Sequence, residues 1–195
     1  MSTTQPIKNK QDLKQFKNFY QSQCPNMRNY VLITLGLNTA LRISDILSLT
    51  YDMVYEKKQV KEHIEIKEQK TGKTNRILLN SEARLALKHY QEVLSDSAAY
   101  REGNPYLFPS PRKKGKHLSR FQAYRIIRAA SEAVHTKDRI SCHSLRKTFG
   151  YYAWKQGADP IVIMLIYNHS SFSITKRYLC IEQDDKDNIY QNTLL

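Results

Sequence analysis

The sequence predicts a mainly α fold with a small antiparallel β-sheet. Three observations carry that expectation. Apolar residues recur at helical spacing through the opening and closing thirds of the chain. A middle stretch alternates polar and apolar side chains with period two. The 195 residues are 41% hydrophobic and 25% charged, enough apolar material for one core in a chain the size of one domain.

Residues 11–24 read as a first helix, with Leu13, Phe16, Phe19 and Tyr20 near helical spacing and Pro25 as its breaker. A largely apolar second helix covers 27–38. A third covers 40–49, where Ile43, Ile46 and Leu47 form a core stripe and Arg42 and Asp45 lie together off it. Residues 63–67 alternate, and 76–79 form a second short strand. Between them Gln69-Lys70-Thr71-Gly72-Lys73 makes a hairpin turn, with Gly72 able to supply positive φ. A helix follows over 81–94, then a polar loop over 95–104. Tyr106-Leu107-Phe108 is a buried extended segment, and 109–116 is a basic exposed loop. Ser119 with Gln122 reads as a capping box opening a helix to about Val134, with Ala123, Ile126, Ile127 and Ala130 facing the core. Gln122, Arg125 and Arg128 share another side. Helices over 143–156, ended by Gly157, and over 161–167, opened by Pro160, come next. Another carries Tyr178, and a tail runs over 184–195 with Ile189, Tyr190 and Leu194 as weakly spaced apolar residues. No internal repeat divides the chain, which reads as one domain over 1–195.

The charge is lopsided: 31 Lys and Arg against 18 Asp and Glu give +13, with a pI near 9.6. Such an excess points to a polyanionic partner: DNA, RNA or an anionic membrane, nucleic acid foremost. Cys24, Cys142 and Cys180 lack metal-site spacing and are odd in number, which fits reduced thiols rather than a disulfide scaffold. The opening residues hold no apolar signal segment, and the longest apolar run, 161–167, is too short to cross a bilayer. A cytoplasmic protein without membrane contact is expected. Two-metal nuclease chemistry needs converging carboxylates, and the run Asp184, Asp185, Asp187 reads better as a solvated tail. His63, His89, His117 and His135 have no ligand spacing with the cysteines, so no metal is expected.

Taken singly, the chemical residues are unremarkable. Tyr178 has the spacing of a core residue, Arg42 could pair with Asp45 three positions on, and His169 could be a helix cap. Together they form an ordered series: Arg42 in Ala-Leu-Arg-Ile-Ser-Asp, the Lys-Thr-Gly-Lys hairpin, His143-Ser-Leu-Arg146, then His169, then Tyr178 nine residues later. Planar guanidinium forks suit the charge that builds on a phosphodiester's equatorial oxygens. A tyrosine must lose its proton to attack, and a histidine can accept it.

This series, spanning essentially the whole chain, resembles the tyrosine recombinase (phage integrase) family. The resemblance implies that family's catalytic-domain fold and its chemistry. Tyr178 would be the nucleophile and Arg42 and Arg146 the phosphate clamp. Lys70 rather than Lys73 would protonate the leaving 5′-oxygen. His143 would assist proton transfer at the tyrosine, His169 would donate to the phosphate, and Asp45 would support the arginine box. Double-stranded DNA is the implied partner, with no cofactor and no ATP. Lys73, Arg112, Lys113, Lys114, Lys116, Arg120, Gln122, Arg125 and Arg128 are the candidate DNA contacts. The family works as a homo-tetramer on synapsed DNA, and the tail could be the segment that protomers exchange. Two departures stand out. Asn168 replaces the glycine common before the second histidine, and asparagine tolerates the left-handed turn that glycine makes there. Only about forty residues precede Arg42, too few for a separate N-terminal DNA-binding domain, so the chain is expected to be either a fragment or a minimal single-domain recombinase leaning on protomer contacts or an accessory DNA-binding protein. Two other functions stay open: a DNA-binding regulator without cleavage, and type IB topoisomerase-like relaxation.

Overall fold

The structure is a computed structural model that describes residues 4–134 and 139–194. His135, weighed above as a metal ligand, and Leu195, the end of the tail, lie outside them. The chain runs α1 (Lys10–Ser22), α2 (Met27–Asn38), α3 (Ile43–Leu47), α4 (Tyr51–Val54), β1 (Tyr55–Glu56), β2 (Gln59–Val60), β3 (His63–Lys67), β4 (Thr74–Leu78), α5 (Ser81–Ser95), α6 (Ala98–Arg101), α7 (Arg120–Ala133), α8 (Cys142–Lys155), α9 (Pro160–Tyr167), α10 (Phe172–Leu179) and α11 (Glu182–Asn192). The mainly helical architecture with small antiparallel sheets is the one expected. Among the described residues no helix is long and apolar enough to cross a membrane.

Helix α2 is the hub, because its apolar residues cover more than one face. Val31, Leu32, Ile33 and Leu35 are fully buried, and α1, α5 and α8 pack around them. Each such side chain contributes about 1.5–3 kcal/mol relative to exposure. Gly36 permits the close approach of α8: a Cβ there would stand 2.5 Å from Leu145 Cδ1. The expected capping box forms. Ser119 Oγ accepts from Gln122 N at 3.2 Å, and Gln122 Oε1 accepts from Ser119 N at 2.9 Å.

The structure departs from the sequence reading where local signals are weak. The third helix begins only after Arg42 and has five residues, since Ala40 adopts φ 54° and breaks the helical path. An additional hairpin, β1–β2, turns on Lys57 and Lys58, both left-handed. That turn carries none of the Asn or Gly that normally marks it. The polar loop contains the short α6. Leu107 N donates to Leu49 O at 2.8 Å, so 106–108 pairs with the residues after α3. The main hairpin pairs His63 with Leu78 through Lys67 with Thr74.

A second, smaller apolar cluster of Ala40, Tyr151, Ile163, Tyr167, Leu179 and Ile181 sits on the other side of α8, with Tyr178 packed against it. It supports the candidate site.

Candidate active site

Arg42 is the residue before α3 and is extended, with φ −72° and ψ 150°. Its side chain leaves from an irregular residue, not from a helix face. It does not pair with Asp45. Its Nη1 donates to Glu68 Oε2 at 2.5 Å. Asp45 is fully buried; one oxygen accepts from Gln69 N at 3.0 Å and the other has no hydrogen-bond partner among the described residues. Asp45 thus anchors the base of the hairpin turn, and a different acid holds the arginine.

That acid, Glu68, was not singled out in the sequence. It also accepts from Thr71 Oγ1 at 2.8 Å, Asn75 Nδ2 at 2.7 Å and Asn168 Nδ2 at 3.3 Å. Burial alone raises its carboxyl, but hydrogen bonds from Thr71 and Arg42 and the charges of Arg42 and Arg146 outweigh that and hold it below its ordinary value. The available signal was an acid beside Lys70 at the mouth of the hairpin.

Arg146 projects from α8 and is 4% exposed. Its Nη1 donates to the carbonyl of Ala40, and its Nη2 donates to Tyr167 O at 3.4 Å. The left-handed backbone at Ala40, costly for a residue with a Cβ, aims that carbonyl at the guanidinium. Tyr167, read from sequence only as an apolar helix end, lies beneath: Arg146 stands 4.5 Å from its ring centre, and its hydroxyl donates to Arg146 O at 2.5 Å. Gly150 leaves room for that hydroxyl, since a Cβ there would stand 2.6 Å from it. Asn168 caps α9 in the left-handed region at φ 54°, as the sequence predicts, and directs His169 inward.

Tyr178 is partly buried on α10. Its ring lies 5.3 Å from His169, edge-on, and 5.5 Å from Tyr167. His169 Nδ1 meets Thr175 Oγ1 at 3.0 Å, which orients the imidazole. Burial raises the Tyr178 hydroxyl above its ordinary value, against the pull of Arg146 and Arg42. His143, beside Arg146's turn of α8, is held below its ordinary value by the atoms crowding its ring, although much of its surface is open. The cations Lys147, Arg120, Arg146 and Arg42 act in the same direction. Partial burial lowers His169 too, helped by Arg146, Arg42 and Lys70. Both shifts favour the neutral imidazole, which can accept or share a proton. Arg42, His143, Arg146, His169 and Tyr178 form one cluster, and Lys70 at the exposed hairpin tip is within electrostatic reach of His169.

The basic surface is more selective than the sequence reading. On α7 the exposed row is Phe121, Arg125 and Arg128, at i, i+4 and i+7, while the Gln122 amide oxygen is engaged in the cap. Arg128 pairs with Glu132 at 2.9 Å. Arg120, in the first turn, bears on His143 and so borders the cluster. Lys73, Arg112, Lys113, Lys114 and Lys116 are exposed, with Lys114 3.4 Å from Glu102.

Comparison with known proteins identifies the family and the fold. Residues 8–184 match the model of the phage integrase family. The chain is 38% identical over 184 residues to the probable integrase/recombinase YoeC of Bacillus subtilis (strain 168), covering 94% of this chain and 93% of that protein. It is 32% identical over 153 residues to the type 1 fimbriae regulatory protein FimE of Escherichia coli (strain K12), covering 77% and 73%. It is 29% identical to tyrosine recombinase XerD of Rhizobium meliloti (strain 1021), covering 85% of this chain and about half, 51%, of that protein. In fold it is similar to the XerA recombinase, with a TM-score of 0.77 at 20% identity over 98% of this chain and 67% of that one. The Ala40–Arg146 contact, the left-handed Asn168 and the clustered rings of Tyr167, His169 and Tyr178 thus belong to a chain that is a member of the phage integrase family of tyrosine recombinases, enzymes of site-specific DNA recombination.

Proposed function

We propose that this chain cuts and rejoins double-stranded DNA through a covalent bond to Tyr178, without ATP or metal. The carrying observation is that the Tyr178 ring lies 5.3 Å from His169 and 5.5 Å from the Tyr167 ring on which Arg146 rests, with Arg146 and Arg42, cations suited to hold a phosphate's non-bridging oxygens, close enough for their charge to act on its hydroxyl. The Tyr178 oxygen attacks phosphorus, an O–P bond forms and the bond to the 5′-oxygen breaks. The tyrosine proton passes to His143, and Lys70 supplies a proton to the leaving 5′-oxygen. His169 donates to the phosphate, and Asp45 keeps the hairpin that carries Lys70 in place. The product is a 3′-phosphotyrosine and a free 5′-hydroxyl, and the reverse attack religates the strand with no outside energy. The positive rows on α7 and the 109–116 loop would meet the phosphates of the duplex, so binding weakens steeply with salt. Exchange of both strands calls for two synapsed duplexes on a tetramer. An accessory DNA-binding protein would compensate for weak binding by one copy. The exposed Ile189, Tyr190 and Leu194 of the tail are suited to a neighbouring protomer.

The test is a nicked suicide duplex, with sites taken from DNA flanking the gene, incubated with wild type and Tyr178→Phe. A covalent protein–DNA band from wild type alone is expected. A band persisting in the phenylalanine variant rules the mechanism out.

A further inference from the structure

We infer that Lys147 is a positioning residue for Tyr178: its buried ammonium clips the N-terminal strap, residues 4–9, to the turn behind the nucleophile's helix and stands at the face of the tyrosine ring. The inference rests on the reading of Tyr178 as nucleophile.

Lys147 follows Arg146 on α8 and is only 2% exposed. A lysine so deeply buried needs specific partners. Its Nζ donates to Thr4 O at 2.6 Å and lies 3.5 Å from Cys180 Sγ. It stands 5.2 Å from the centre of the Tyr178 ring, within cation–π range. None of these partners is adjacent to it in sequence. They belong to the strap and to the end of α10, which this ammonium joins.

The strap is itself fixed to α8. Ile7 N donates to Thr148 Oγ1 at 2.9 Å, and Tyr152 OH donates to Lys8 O at 2.9 Å. A second strap lysine reaches the same turn: Lys8 Nζ donates to Cys180 O at 3.0 Å and pairs with Asp184 at 2.6 Å. Cys180 is the left-handed residue that ends α10, two positions after Tyr178. Its left-handed backbone turns the chain out of α10 directly after the turn that carries Tyr178, so contacts that hold Cys180 hold the end of that turn. Two ammonium groups therefore grip that turn from one side, one at its carbonyl and one at its sulfur. Lys147 also bears on His143 from within the site, together with Arg120 of α7, Arg146 of α8 and Arg42 before α3.

The test compares wild type, Lys147→Met and Lys8→Met by three measurements: duplex affinity, single-turnover rate of covalent adduct formation, and the pH profile of that rate. Methionine keeps the stem of Lys147 and removes its charge. Misplacing a reacting group by about 1 Å costs roughly a hundredfold. Lys147→Met is expected to slow adduct formation at least about tenfold, with duplex affinity unchanged, and to move the acidic limb of the profile upward as His143 is relieved of one cation. Lys8→Met, at a partly exposed position, slows adduct formation less and leaves the acidic limb in place. If Lys147→Met cleaves at the wild-type rate, or loses affinity and rate in equal measure with an unmoved profile, the inference is overturned. If Lys147→Met does not fold, Lys8→Met decides: cleavage at the wild-type rate removes the clip. Failure of wild type to form a Tyr178-dependent adduct would instead overturn the reading of Tyr178, a separate result.

Discussion

Removing the Glu68 carboxylate tests whether one buried acid organises both the hairpin and the first arginine. In Glu68→Ala the Arg42 guanidinium loses a partner at 2.5 Å, and Thr71, Asn75 and Asn168 lose their shared acceptor. Deleting one member of a buried ion pair costs about 3–5 kcal/mol. The Glu68 side chain is 1% exposed but that of Arg42 is 20% exposed, so water takes up part of the loss and about 3 kcal/mol is expected. At roughly 2–4 °C per kcal/mol for a chain of this size, the melting temperature should fall about 6–12 °C. Glu68→Gln keeps the shape without the charge and should fall less. The pH dependence follows from the depressed carboxyl. A carboxylate held below its unfolded value stabilises the fold fully above that value, ordinarily 4.5, and its contribution disappears as pH falls through the folded value. The gap between wild type and Glu68→Gln should therefore be full at neutral pH and close in acid. Thermal melts followed by circular dichroism at several pH values measure both. A Glu68→Ala melt within about a degree of wild type at neutral pH would refute the reasoning.

Gly150→Ala should destabilise by about 1–3 kcal/mol, because its Cβ would overlap Tyr167 OH and Leu179 Cδ2. Adduct formation should fall with it, since Tyr167 underlies Arg146 and Tyr178; a fully active, equally stable variant would disprove that dependence. Lys70→Ala should cripple strand cleavage while Lys73→Ala mainly weakens DNA binding, as read by the suicide duplex and by a binding titration. The reverse pattern would move the proton donor to Lys73. Ser119→Ala should cost about 1 kcal/mol of stability through loss of the α7 cap, visible in a denaturant midpoint.

What the sequence determined by itself lies within a few residues of each position. The helix over Met27–Asn38, the Ser119–Gln122 capping box, the hairpin at Gly72 and the left-handed Asn168 all depend on contacts three or four residues apart, and spacing encodes those. The order of Arg42, Lys70, His143, Arg146, His169 and Tyr178 is likewise written in the chain. The partners of the charges were decided only by tertiary structure. Asp45 sits three residues from Arg42 and was the natural choice, yet α3 begins too late for that pairing and folding buries Asp45 under the hairpin. Glu68 meets Arg42 across 26 positions and Asn168 across 100, and Arg146 reaches Ala40 across 106. Tyr167 reads as an apolar helix end, and no local pattern marks Lys147, until α8, α9, α10 and the strap close around them. A buried charge takes whichever acceptor the packing brings within reach, because leaving it unpaired costs more than any local preference returns. That choice belongs to the assembled core, and local spacing does not record it.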